Sequence, residues 1–154
     1  MIEKVRDDAM KIGHVHLKVR DLQHSISFYE RYLGLKVTER AGEGFAFMSG
    51  TSMHHEVALQ AVGPQAETPG RHDVGLYHVA FEVPDREAFA SVYRRLVKGG
   101  EQVYPVNHRI SWALYFNDPD GNGLEVYLDT RQTAGGTEVW EGINLPLREA
   151  DLVA

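Results

Sequence analysis

Laid over itself with an offset of 64 residues (14 to 78), the chain matches its own second half. His14-Val15-His16-Leu17-Lys18-Val19-Arg20-Asp21 falls on His78-Val79-Ala80-Phe81-Glu82-Val83-Pro84-Asp85, and Ser27, Tyr29 and Arg31 fall on Ser91, Tyr93 and Arg95. Solenoid repeats are shorter and more numerous. A long unit that occurs twice predicts two fused copies of one small module, so any fold assigned to the first copy must also suit the second.

Both copies carry the same pattern. Val15, Leu17 and Val19 alternate with His14, His16 and Lys18, as Val79, Phe81 and Val83 do with His78, Ala80 and Glu82, which predicts a strand with one apolar face. Asp21 and Asp85 stand where helix N-caps belong. Leu22, Ile26, Tyr29 and Leu33 follow at helical spacing up to Gly34, and Phe89, Val92, Tyr93 and Leu96 up to Gly99-Gly100. Strand-like segments come next, at about 36–38, 44–48 and 56–61 in the first copy and 102–105, 111–116 and 123–128 in the second. The expectation is an α+β chain of two tandem βαβββ modules within a single domain, 1–154. Module one covers about 12–61 and module two about 76–130. Residues 62–75, with Pro64, Pro69 and three glycines, read as a linker. The tail 131–154 shows little pattern, though Trp140 and Leu145-Pro146-Leu147 are expected to pack.

If helices cover one face of each sheet, the other faces can close into a cup lined by the polar residues of the alternation. His14 and His78, equivalent by the repeat, would then face each other. Asp118-Pro119-Asp120-Gly121 is turn chemistry, which puts Tyr115 and Glu125 on two strands of a hairpin. Leu124, Val126 and Leu128 form the apolar set of the last strand, so Glu125 and Tyr127 belong on the cup side. Two imidazoles and a carboxylate form a facial triad suited to Fe(II), with positions left open. No thiolate competes for that role, because the chain has no cysteine and eight histidines. Sixteen Lys and Arg against 22 Asp and Glu leave a net charge of −6, which argues against nucleic acid as a partner. No apolar run approaches the ~20 residues of a membrane span, and Met1–Asp8 lacks a signal-peptide core, so a cytoplasmic protein is expected.

The segments His14–Leu22 with Ser25, Phe28, Tyr29, Leu33 and Gly34, then His78–Val83, then Tyr115 through Asp118-Pro119-Asp120-Gly121-Asn122 to Glu125, together resemble the vicinal oxygen chelate superfamily. That superfamily includes glyoxalase I, bleomycin-resistance proteins and extradiol dioxygenases, and the resemblance covers about residues 12–129. It implies His14, His78 and Glu125 as the metal ligands. In glyoxalase-type members each module gives two ligands. Here a local offset of 67 (58 to 125) puts Ala58 at the first-copy position of Glu125, and only a slipped alignment would bring Glu56 there.

Within that superfamily, a three-ligand site makes the resemblance imply an Fe(II)-dependent extradiol dioxygenase that opens a catechol-like aromatic diol with O2, with Mn, Zn or Ni as alternative ions. The His-rich run Met53–Leu59 is similar to the dioxygenase stretch whose second histidine is the acid/base, which implies His55 as catalytic, with His54 beside it at the substrate. Strict alternation puts His55 on the wrong face, so a bulge at the strand start is expected. The run 108–115 likewise implies His108 as a substrate contact and Tyr115 as a catalytic phenol. Arg109 replaces the family's usual glycine. The alternatives are a glyoxalase-type metal-dependent lyase or isomerase, and a metal-free binding protein of the bleomycin-resistance kind. The chain could close its cup alone or as a homodimer.

Overall fold

The computed structural model describes residues 8–153, so the Met1–Asp8 reading lies almost wholly outside the described residues. The elements run β1 (Val15–Val19), α1 (Leu22–Leu33), β2 (Lys36–Ala41), β3 (Phe45–Ser49), β4 (Val57–Ala61), β5 (Val79–Glu82), α2 (Arg86–Lys98), β6 (Tyr104–Asn107), β7 (Ser111–Asn117), β8 (Gly123–Asp129), β9 (Leu145–Pro146) and α3 (Glu149–Leu152). They form two mixed sheets, ordered β1-β4-β3-β2 and β5-β8-β7-β6-β9. The first strand of each module runs parallel to the last, and the other pairs within β1–β8 are antiparallel. The α+β fold with βαβββ order in each half is therefore present.

Local chemistry explains both helices. The Asp21 and Asp85 carboxylates accept from the backbone N–H groups of His24 and Ala88 at 2.7 and 2.8 Å, filling N-terminal donors that a helix leaves open. Gly34 ends α1 in the left-handed region at φ 71°. The apolar faces of both sheets and both helices feed one core, from Leu17, Ile26, Tyr29 and Met48 to Phe89, Leu96, Leu114 and Val126. Each such side chain, fully buried, contributes about 1.5–3 kcal/mol.

The modules are locked together at that core. The Tyr29 hydroxyl donates to Asp118 at 3.0 Å, and the Arg20 backbone and guanidinium both donate to Asp120 at 3.1 Å. The Asp-Pro-Asp-Gly turn thus fastens module two to module one. A Cβ on Gly99 would lie 2.0 Å from the Tyr32 hydroxyl, so the Tyr32 ring of α1 packs into space that a side chain at the end of α2 would fill.

Three details differ from the sequence reading. Strand β2 runs on to Ala41 through a bulge between Val37 and Glu39. The tail adds β9 to the edge of β6, where Pro146 lacks only a donor that an edge strand can spare, and then forms α3. No bulge reorients His55: residues 51–55 are irregular and β4 starts at Val57, so alternation does not extend to the histidine pair.

Candidate functional site

Strand pairing lines up one row of residues across the polar face of each sheet. In module two the row is Ala80, Glu125, Tyr115 and Tyr104. In module one it is His16, Ala58, Phe47 and Glu39. Since 16 and 80 are repeat equivalents, Ala58 is the counterpart of Glu125, and no slip brings Glu56 into its place. Glu56 is moreover engaged: its carboxylate accepts from the Ser49 hydroxyl and the Gly50 N–H, each at 2.9 Å, and from the Thr51 hydroxyl.

Module two gathers four of the expected residues. His78 Nε2 lies 2.9 Å from Glu125 Oε2, and the buried Nδ1 of His78 has no hydrogen-bond partner. His78 is held there because Gly123 lets the chain pass closely: a Cβ at 123 would lie 2.2 Å from the Tyr77 carbonyl. Tyr115 leans over His78, ring centroids 5.6 Å apart, and its hydroxyl sits 2.8 Å from His108 Nε2. Burial, then the Glu125 carboxylate, pushes the Tyr115 phenol up to about 12, so it is a protonated donor at neutral pH. The Trp140 indole stands edge-on to His108 at 5.7 Å. Arg109, where glycine is usual, adopts φ 67°, a glycine-like conformation. Its N–H donates to Asn107 Oδ1 and its carbonyl accepts from the Thr130 hydroxyl, which holds the loop carrying His108.

These side chains border a hollow of about 610 Å³ lined by Tyr77, His78, Tyr104, His108, Tyr115 and Trp140 among others, with no Lys or Arg in the lining. That volume suits a small organic ligand. A separate cleft of about 670 Å³ lies between Lys18, the linker and the Asp-Pro-Asp-Gly turn, and of the expected site residues it holds none.

Module one gathers the rest. His14 and His55 lie 4.5 Å apart, His54 Nδ1 is 2.8 Å from His55 Nδ1, and His54 Nε2 is 2.9 Å from Glu39 Oε2. Phe47 lies against the rings of both His54 and His55. Burial, helped by His14 and His54, holds the His55 imidazole below its ordinary range, which favours the neutral ring.

The two groups do not meet. Among the described residues no three His, Asp or Glu side chains gather to hold a metal ion, so His14 is not brought to His78 and Glu125 within one chain. Of the two ways of closing the cup that the sequence leaves open, within one chain or across a homodimer, the described residues do not show the first. The physical reason is the shared core: the apolar faces of both sheets turn inward to α1 and α2, which directs the polar faces away from one another. Sequence reasoning also missed Glu39, whose orientation depends on the β2 bulge, and Trp140, placed by the tail. No described helix is long and apolar enough to cross a membrane.

Comparison with known proteins places the chain in a family. The chain is 35% identical over 121 residues to "Catechol-2,3-dioxygenase" of Bacillus subtilis (strain 168), covering 77% of this chain and 41% of that protein. It is 31% identical over 120 residues to "Glutathione transferase FosA" of Serratia marcescens, covering 76% of this chain and 79% of the other. It spans 65% of "Biphenyl-2,3-diol 1,2-dioxygenase 2" of Rhodococcus globerulus at 29% identity, so it covers less than two thirds of either dioxygenase. Among solved structures, a glyoxylase/bleomycin resistance protein/dioxygenase domain from Frankia sp. EAN1pec superposes with a TM-score of 0.66 at 26% identity, over 79% of this chain and 98% of that one. The sequence model of the Glyoxalase/Bleomycin resistance protein/Dioxygenase superfamily matches residues 11–126, and the chain belongs to that superfamily.

Proposed function

We propose that the protein is an Fe(II)-dependent extradiol dioxygenase acting on a catechol-like diol, with each site built from two copies of the chain. His14, His54 and His55 of one copy would meet His78, Glu125, Tyr115 and His108 of the other. The residues fit a metal. His78 Nε2 and Glu125 Oε2 already converge at 2.9 Å, and two imidazoles with one carboxylate match the preference of Fe(II). Among the described residues the sheet edges β1 and β5 have no strand beyond them, and exposed apolar side chains flank both half-sites: Ile12 and Met53 on one side, Tyr77, Tyr104 and Trp140 on the other. A second copy would cover both.

The observation that carries the choice of substrate is the hollow of module two, aromatic and without Lys or Arg. Glutathione, an anionic tripeptide, would want cations there; an uncharged aromatic ring would stack on Tyr104 and Trp140. Bound iron supplies the positive charge that acidifies a catechol hydroxyl and the redox chemistry that lets O2 react. His55, neutral, would accept the hydroxyl proton at a ring nitrogen, while the Tyr115 O–H donates to the diol oxygen and His108 orients that phenol. The aromatic walls keep water from the ring.

Oxygen uptake by the iron-loaded protein with a panel of catechols tests this reading. The expected result is one O2 consumed per catechol with a conjugated ring-opened product. No uptake, together with turnover of a glutathione hemithioacetal by the Zn- or Ni-loaded protein, would replace it with the lyase reading; absence of any metal uptake would favour a binding protein.

A further inference from the structure

Glu39 lies in the edge strand β2, and regular pairing would set Thr38 opposite Phe47. The bulge puts Glu39 there instead, on the face that carries Phe47 and the histidine pair. Bulges commonly re-aim one side chain in this way. The carboxylate then reaches His54 Nε2 at 2.9 Å, and His54 Nδ1 reaches His55 Nδ1 at 2.8 Å.

We propose that Glu39 is a positioning residue that sets the tautomer of His55 through His54. A carboxylate accepts and does not donate, so His54 carries its proton on Nε2. With His54 neutral, its Nδ1 is a lone pair and accepts from the Nδ1–H of His55. His55 Nε2 is then left without a proton, ready to accept one. Phe47, against both rings, restrains the rotation that would undo this order. The use of that nitrogen rests on the acid/base role proposed for His55; the tautomer itself does not, and it is measurable without metal or substrate.

Long-range proton–nitrogen spectra of the metal-free, 15N-histidine-labelled protein at about pH 8, where an ordinary imidazole is neutral, read the tautomers directly. His55 is expected as Nδ1–H in the wild type and in Glu39→Gln, whose amide oxygen still accepts. In Glu39→Leu, and in His54→Phe, His55 should revert toward the Nε2–H form that free imidazole prefers in water. Glu39 is half-exposed, so an unchanged Tm is expected in the Gln and Leu variants and checks the fold. In the loaded enzyme, Glu39→Leu should lower kcat about tenfold with KM unchanged, the low end for an outer partner orienting a functional imidazole, and Gln should restore it. An Nε2–H His55 in the wild type, or an Nδ1–H His55 that persists in Glu39→Leu, would overturn the proposal. Wild-type protein inert toward catechols would remove the dioxygenase reading and leave the tautomer result standing.

Discussion

The two modules share strand order and register, yet they fill the same four-position row with different chemistry. Module two presents Ala80, Glu125, Tyr115 and Tyr104, which offer a carboxylate, a phenol and a ring wall. Module one presents His16, Ala58, Phe47 and Glu39, with no donor at the central pair. The two copies share the frame and the leading histidines, and they differ at the paired positions, where Ala58 and Phe47 stand for Glu125 and Tyr115. The tail widens the difference, since β9 and Trp140 wall only the second module.

The comparison breaks most visibly if that asymmetry is not what sets metal chemistry. Glu125→Ala is expected to abolish iron binding and lower oxygen uptake more than about 100-fold, beyond the loss of an outer-sphere partner. Ala58→Glu, which makes module one imitate module two, should strengthen Zn or Ni binding and depress oxygen uptake; iron titration and an oxygen electrode read both. Next in size, Tyr115→Phe copies Phe47 into module two. It should lower kcat by roughly 100-fold, the scale of one positioned donor, while iron content holds.

Much of this was legible in the sequence because it depends on period and local chemistry. Both helix caps and the parity of Glu125 and Tyr115 are written in residues a few positions apart, and the repeat shows as identities at a fixed offset of 64 residues (14 to 78). What escaped depends on long-range register or on the other half of the chain. The β2 bulge that aims Glu39 has no signature in Lys36–Ala41. The irregular stretch before Val57 frees His54 and His55 from alternation. The inward-facing shared core, which keeps His14 from His78, is a property of how the modules dock and not of either one.

Smaller effects sharpen the account of how each half-site is held. Gly123→Ala should displace Tyr77 and His78 and cost about 1–3 kcal/mol by overpacking, seen as a lowered Tm with weaker iron binding. Glu56→Gln tests the loop of module one. Burial raises the Glu56 carboxyl, but hydrogen bonds from Thr51, Gly50 and Ser49 outweigh it and leave the group below its ordinary range. Its stabilisation is therefore full above the unfolded pKa near ~4.3 and is lost as pH falls through the lower folded value. Denaturant titration should show a deficit of about 1 kcal/mol for the variant at neutral pH, vanishing in acid.

The proposed sharing of a site between two copies is tested most directly by mixing inactive chains. His14→Ala and His78→Ala should each bind no iron alone. Co-refolded at equal amounts, half of the dimers pair one of each, and every such dimer regains one intact site and one doubly damaged one. Iron binding should then return to about a quarter of the wild-type level per chain. A mixture that binds no more iron than its separate components would contradict the account.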